Sequence, residues 1–162
     1  EVHRTALGPY VEATWGWDEE SQRRRFQEHF RPARYSIIRC AGREVGFLSV
    51  EEREDHVLLG TIEIRPEYQR RGIGTHLLRE LLAMASSRGL PLRLRMLKVN
   101  PARSLYQRLG FRVTGDTETH FLMEALPGTG GEDETQTIRS PGPGWRPGAA
   151  RRTVGWPEGG EE

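Results

Sequence analysis

Apolar and polar positions alternate along the middle of the chain with the period of two that is typical of half-buried β-strands. Three such runs, at residues 34–40, 44–51 and 56–64, are separated by short turns. They predict an antiparallel meander. Two more strands are predicted further on, at residues 111–114 and 118–125.

Helical spacing of apolar residues frames these strands. One helix is predicted to start near Pro9, and a second to run from Asp18 to Pro32, because Asp18 is a good N-cap and acidic residues follow it. After the third strand, the apolar residues between positions 73 and 85 fall on one side of a helix that ends at Gly89.

The segment at residues 92–99 predicts a strand with a break in its pattern. Its alternation slips phase at Leu97, which indicates a bulge or a strand that leaves its neighbour. Asn100 and Pro101 then predict the start of a helix, with Asn100 as N-cap, that runs to Gly110.

The composition changes after Leu126. Residues 127–162 hold 9 of the 19 glycines and 5 of the 10 prolines, with few aliphatic side chains. Such a segment cannot bury enough apolar surface to offset the entropy of ordering it. We therefore expect one folded domain over residues 1–126 and a disordered tail over residues 127–162.

Charge and cysteine content exclude several classes of protein. The net charge is +1, and four arginines against six acidic residues in 127–162 leave +3 on residues 1–126, which is too mild to predict nucleic-acid binding. The single cysteine, Cys40, excludes an internal disulfide and fits a reducing cytoplasm. With no apolar run of membrane-spanning length and no signal peptide, we expect a soluble cytoplasmic protein without membrane contact. The histidines show no ligand spacing, so no metal is expected.

Glycine and arginine are concentrated between the third strand and the helix that follows it, in the run Gln69-Arg70-Arg71-Gly72-Ile73-Gly74. Gly72 and Gly74 remove side chains where the backbone enters the helix, so the free N–H groups of the first turn can approach an anion. Arg70 and Arg71 add two permanent positive charges. The run predicts a phosphate or pyrophosphate site; a tight turn made soluble by arginines is the alternative.

This run, followed about 30 residues later by Val99-Asn100-Pro101-Ala102-x-x-Leu105-Tyr106-x-x-Leu109-Gly110-Phe111, resembles the GNAT superfamily of N-acetyltransferases over residues 7–126. The resemblance implies an α/β (α+β) fold: a mixed, mostly antiparallel sheet flanked by about four helices, with the family's fourth and fifth strands splayed apart. The usual first strand is absent or cut away here. The resemblance also implies an enzyme that moves an acetyl group from acetyl-CoA to a primary amine by direct attack.

The resemblance assigns residues to acetyl-CoA, which would lie between the splayed strands. Backbone groups of Ile62 and Ile64 would pair with the pantetheine as an added strand does. Asn100 would hold the end of the pantetheine, although a helix cap is an equally good role for it. Backbone amides would hold the pyrophosphate at Arg70, Arg71, Gly72, Ile73, Gly74 and Thr75.

Three side chains are candidates for proton transfer. By the resemblance, Tyr106 lies near the thioester sulfur, where a phenol with a pKa of about 10 can protonate the departing thiolate; packing between helix and sheet is its other role. Glu63 is a candidate base, because alternation turns it away from the face of its neighbours Ile62 and Ile64, and an exposed strand glutamate is the alternative. His120 is a second candidate base.

The acceptor is expected to contact Trp17 and Asp18, together with Glu63 and His120. Aromatic and acidic groups suit a cationic amine; tryptophans of the core before a helix N-terminus are the other interpretation. The acceptor could be a small amine or the N-terminus or a lysine of a protein, and homodimers are common among proteins of this kind. A fold of this kind that binds acyl-CoA without turnover, as a sensor or interaction module, is the alternative function.

Overall fold

The computed structural model of the chain describes residues 1–129 and 152–156. In these residues the helices are α1 (Val2–Ala6), α2 (Gly8–Trp15), α3 (Glu19–His29), α4 (Ile73–Ser87) and α5 (Arg103–Arg108). The strands are β1 (Tyr35–Cys40), β2 (Arg43–Glu52), β3 (Val57–Ile64), β4 (Leu92–Leu97), β5 (Arg112–Asp116), β6 (His120–Ala125) and β7 (Arg152–Trp156).

The described strands form one sheet in the order β5-β6-β4-β3-β2-β1-β7. Its pairs are antiparallel except for β3 with β4 and β1 with β7, which are parallel. The predicted meander of β1, β2 and β3 is confirmed, and so is the mixed, mostly antiparallel sheet.

Strands β3 and β4 pair over three residues only and then separate. The last matched residues are Leu59 and Leu94, so β3 has no described partner on its β4 side from Gly60 onward. Gly60 is also an extra residue in the pairing of β3 with β2, because Ser49 is opposite Thr61 whereas the next residue of β2 is opposite Leu59. A bulge of this kind bends and twists its strand. It accounts for the divergence of β3 from β4.

The phase slip at Leu97 indicates a bulge or a strand that leaves its neighbour, but β4 neither bulges nor separates at this residue. Strand β4 stays paired with β6 as far as Leu97, opposite His120, without a shift of register. Its separation from β3 comes earlier, after Leu94. At Leu97 the pattern slips because two successive side chains, Met96 and Leu97, are both buried.

The long helix α4 covers one face of the sheet. All of the apolar residues that its spacing places on one side are buried, and burial of each leucine or isoleucine contributes roughly 1.5–3 kcal/mol to folding. The set comprises Ile73, Leu77, Leu78, Leu81, Leu82 and Ala85. The buried face of this helix is the one that the sequence predicted.

The other face carries the N-terminal helices. Helix α2 starts at Gly8, with Pro9 in its first turn, as predicted; α1, which packs on β3, was not predicted. Asp18 caps α3, where its carboxylate accepts a hydrogen bond from the Glu20 amide at 3.2 Å. At its far end, α3 joins the sheet through an aromatic cluster of Phe26, Phe30, Tyr35 and Phe47.

The segment expected to be a disordered tail is described in part. Strand β7 lies within it and pairs with β1 from Ser36 opposite Arg152 to Cys40 opposite Trp156. The average composition of residues 127–162 hides this short run of β-branched and aromatic residues, which can pair with a sheet edge. Residues 130–151 and 157–162 lie outside the described residues, so the domain boundary after residue 126 stays a prediction.

Helices of the described residues are all too short or too polar to cross a membrane. Within the same residues, no group of three His, Cys, Asp or Glu side chains is arranged to hold a metal ion. Cys40 is a free thiol, half-buried at the end of β1.

Candidate active site

A cavity of about 440 Å³ opens where β3 and β4 separate, between the sheet and the N-terminal helices. Residues 59–62 of β3 and 94–97 of β4 form its floor. Helices α1, α2 and α3 form the opposite wall, with His3, Trp15, Gln22 and Arg25 among the residues that face it. Asn100, Tyr106 and His120 complete the lining. Four residues singled out from the sequence, these three and Ile62, therefore meet in one space.

Tyr106 is buried on α5 with its ring edge-on to Phe111, 5.6 Å between centroids. Burial raises the pKa of its phenol to about 12, so the hydroxyl stays protonated over the physiological range. No described residue forms a hydrogen bond with this hydroxyl, while the residue lines the cavity. Packing and proton donation, the two roles that the sequence left open, are therefore compatible.

Asn100 holds the turn before α5. Its side-chain oxygen accepts a hydrogen bond from the Ala102 amide at 2.9 Å, and α5 begins at Arg103, later than the predicted start at Pro101. Asn100 also lines the cavity. Its side-chain NH₂ forms no hydrogen bond with a described residue and can donate to a ligand.

Glu63 is only 3 % exposed, which excludes the alternative of an exposed strand glutamate. Its carboxylate accepts a hydrogen bond from the Thr61 hydroxyl at 2.9 Å and two contacts from Nδ1 of His3 at 3.0 and 3.1 Å. The side chain points to the face of the sheet that carries α1, where it meets His3. It lies behind His3 and is not part of the cavity lining.

His3 is the residue of the site that sequence reasoning missed. It lies on α1, lines the cavity and approaches the Glu63 carboxylate through Nδ1, while its Nε2 is 3.4 Å from the side-chain oxygen of Gln22. The hydrogen bond with Glu63 raises the pKa of His3 and outweighs burial, which lowers it. Because a carboxylate only accepts, Nδ1 carries the proton in the neutral ring and Nε2 has the lone pair. When Nε2 gains a proton it can donate to the Gln22 oxygen, a contact that also raises the pKa of His3.

His120, at the start of β6, lines the cavity next to Trp15, with 5.7 Å between ring centroids. Its Nδ1 is 2.8 Å from the Thr119 hydroxyl. Burial and the positive charge of Arg95 both lower the pKa of His120. The ring is therefore neutral at pH 7 and is a weaker base than His3.

Trp17 and Asp18, expected to contact the acceptor, lie outside the cavity lining. Asp18 is used as the N-cap of α3, and hydrogen bonds, above all from Ser21, lower the pKa of its carboxyl. The Trp17 indole N–H donates to the Glu19 carboxylate at 2.8 Å, and its ring lies 5.8 Å from that of His3. Trp15, half-exposed, is the tryptophan that lines the cavity.

The glycine-arginine run forms the entry to α4. Gly72 is the N-cap with φ +81°, in the left-handed region that favours glycine, and Arg70 also has a positive φ of +57°. The amides of the first turn of the helix, Ile73, Gly74 and Thr75, have no acceptor within the helix. They are available to an anion.

Two contacts fix this loop. The side-chain amide of Gln69 donates to the carbonyl of Ile64 at 2.8 Å, which ties the loop to the end of β3. The Arg71 guanidinium lies 5.2 Å from the centre of the Tyr68 ring. The carbonyl of Ile64, one of the groups predicted to pair with pantetheine, is thus already in a hydrogen bond; Ile62 lies on the part of β3 that has separated from β4.

Comparison with known proteins supports the architecture. The family model described as "Acetyltransferase (GNAT) family" matches residues 4–111. The PaiA N-acetyltransferase of Thermoplasma acidophilum, solved in complex with coenzyme A, superposes with a TM-score of 0.58 at 20% identity, over 77% of this chain and 88% of that one. The ribosomal-protein-S18-alanine N-acetyltransferase of Escherichia coli gives a TM-score of 0.56 at 22% identity, over 85% and 89%. No curated protein matches the sequence.

Proposed function

Because the chain belongs to the GNAT family of acetyltransferases, we propose that it transfers an acetyl group from acetyl-CoA to a primary amine by direct attack. The observation that carries this proposal is the meeting, in one cavity at the splayed strands, of a proton donor, Tyr106, with a paired acceptor, His3 on Glu63. A transfer of this kind needs one group of each type.

The residues present suit acetyl-CoA, which supplies the acetyl group as an electrophilic thioester. Around Ile62, β3 has no partner strand among the described residues on the side where β4 has separated, so its backbone can pair with an extended ligand. The run from Arg70 to Thr75 offers free amides and two arginines to a pyrophosphate. Asn100 offers its side-chain NH₂ to the pantetheine end of the ligand.

The chain's own groups move the protons. Nε2 of His3 accepts a proton from the acceptor amine, and the Glu63 carboxylate stabilises the imidazolium that forms. The Tyr106 hydroxyl donates a hydrogen bond to the departing sulfur and supplies its proton. His120, neutral and in the same cavity, is the second candidate base.

The proposed acceptor is a small amine, or the N-terminus or a lysine of a protein. The proposal also includes action in the cytoplasm, in keeping with the one free cysteine, and assembly as a homodimer.

Acyl-CoA binding without turnover, as a sensor or interaction module, is the second candidate. It is favoured by one observation: the carboxylate of Glu63 is covered by His3 and cannot touch the acceptor itself.

Calorimetric titration with acetyl-CoA, followed by a free-thiol release assay over a panel of amines, tests both candidates. Binding with thiol release for one class of amine establishes the transferase. Binding without release from any amine supports the sensor. If acetyl-CoA does not bind, the loop at Gly72 is only a turn and both candidates fail.

A further inference from the structure

The cavity has an unusual balance of charge. Four basic side chains face it, His3, Arg25, Arg95 and His120, and none of the described residues in its lining is Asp or Glu. The Glu63 carboxylate is buried behind His3 and already accepts hydrogen bonds from His3 and Thr61. Because Arg25 and Arg95 are permanently charged, the space that would hold the acceptor is positive.

Arg95 differs from the arginine that precedes it on the same face of β4. Arg93, two residues earlier, donates to Glu124 at 2.6 Å and to Asp55 at 3.3 Å. Arg95 forms no ion pair or hydrogen bond with any described side chain, although both arginines project from the same side of the strand. An arginine without a carboxylate partner, facing a cavity, is a ready site for an anion.

Arg25 repeats this arrangement on the opposite wall. Its neighbour Arg24 lies within 3.6 Å of Glu20 on the same helix, whereas Arg25 has no carboxylate partner among the described residues and faces the cavity. The guanidinium group presents a planar fork of donors that matches a carboxylate or a phosphate. Two such groups from different elements, α3 and β4, would grip an anion from two sides.

A positive cavity also affects the reacting amine. Most amines are ammonium ions at neutral pH, and neighbouring positive charges favour the loss of the proton that must leave before attack. A simple cationic amine is repelled by the same charges. If the amine also carries a negative group, the arginines attract that group and offset the repulsion. The positive charges still favour loss of the proton from its nitrogen.

We propose that the acceptor is a small amine with an anionic group, a carboxylate or a phosphate, which Arg25 and Arg95 bind while the amine faces His3. The inference rests on the proposed acetyl transfer and names its substrate class. It differs from the cationic amine that Trp17 and Asp18 predicted, because those two residues lie outside the cavity. A volume of about 440 Å³ is within the range of small-molecule sites.

Three amines of equal chain length test it: propylamine, 3-aminopropanoate and 2-aminoethylphosphonate, each assayed by thiol release with acetyl-CoA at several pH values. We expect kcat/KM for at least one anionic amine to exceed that for propylamine by tenfold or more. The carboxylate and the phosphonate distinguish the two anion types. Propylamine acetylated as well as both anionic amines would overturn the inference and leave the transferase standing.

Variants locate the effect. Arg25→Gln and Arg95→Gln are each expected to raise KM for the preferred anionic amine about tenfold and to reduce its advantage over propylamine in kcat/KM, with Arg95→Lys intermediate because it keeps the charge but not the fork. Arg24→Gln and Arg93→Gln are matched controls on the same elements and should not change the preference. An equal effect of Arg93→Gln and Arg95→Gln would contradict the assignment.

A binding experiment needs no turnover. Calorimetry compares N-acetyl-3-aminopropanoate with N-propylacetamide, which resemble the products of an anionic and a neutral acceptor. We expect the anionic compound to bind more tightly and to lose that advantage in Arg95→Gln. If the anionic compound binds no better than the neutral amide, the anion site is absent. The proposed acetyl transfer is judged separately: it fails if the protein neither binds acetyl-CoA nor releases thiol. An acidic peptide preferred over every small amine would overturn the small-molecule part of the inference.

Discussion

Nδ1 of His3 lies 3.0 and 3.1 Å from the two carboxylate oxygens of Glu63, across a sequence separation of 60 residues. Each residue of the pair meets a chemical requirement of the other. A carboxylate that is 3 % exposed needs hydrogen-bond donors, and a histidine that faces a cavity needs a fixed tautomer if Nε2 is to act as a base. Glu63 thus raises the pKa of His3, and His3 lines the cavity where a base is needed.

This pair predicts the acid limb of the pH profile. A base acts in its neutral form, so kcat/KM should rise with pH through the pKa of His3, which Glu63 holds above its usual value. Glu63→Gln removes the main cause of the raised pKa and leaves the burial that lowers it. We expect the acid limb to move to lower pH and the plateau to fall, as measured by the pH dependence of thiol release.

His120→Gln is the control for that profile. The pKa of His120 is lowered by burial and by Arg95, so a profile governed by His120 would have its acid limb below the usual value for histidine. If the limb disappears in His120→Gln and persists in His3→Gln, His120 is the base and the assignment of His3 is wrong.

Tyr106→Phe should lower kcat about a hundredfold, the lower end of the contribution of acid catalysis. Acetyl-CoA affinity should be unchanged, because the ring and its contact with Phe111 remain. Since the pKa of Tyr106 is about 12, no basic limb from this residue is expected below pH 10. Steady-state kinetics and calorimetry with acetyl-CoA separate the two effects, and a parallel loss of affinity and kcat would argue for a packing role alone.

Gly72→Asp should abolish acetyl-CoA binding, and Gly72→Asn is its matched control. Both side chains have the same shape and tolerate the φ of +81° better than other residues, but only aspartate adds a negative charge at the helix N-terminus. We expect calorimetry to show weak binding to the asparagine variant and none to the aspartate variant. Identical affinities in the two variants would count against an anion at this loop.

The bulge at Gly60 can be tested through stability. A Cβ at Gly60 would lie 2.5 Å from Oγ of Ser49, so Gly60→Ala should destabilise the fold by about 1–3 kcal/mol, the usual range for overpacking. Ser49→Ala removes that oxygen and leaves a Cβ at 3.7 Å, an ordinary contact. Urea denaturation should show the double variant to be more stable than the sum of the single changes predicts. Strict additivity would mean that the two positions do not meet.

Much of the fold was accessible from the sequence, because its signals are local. Alternation identified β1, β2 and β3, helical spacing identified α4 and its buried face, and the cap at Asp18 identified the start of α3. The same holds for the glycine-arginine loop, where a positive φ at Gly72 follows from a tight entry into a helix. Each of these features depends on residues within about one turn or strand of each other.

The arrangement of the candidate site was decided by tertiary structure. His3 lies on a helix of five residues with no pattern of its own, and its role exists only because α1 packs on β3 beside Glu63. Which tryptophan faces the cavity likewise depends on how α2 meets α3: the sequence predicts Trp17, and Trp15 lines the cavity instead. Periodicity says which side of its own element a side chain occupies. Only the packing of distant elements decides what that side faces, and so placed Arg25 and Arg95 in one cavity.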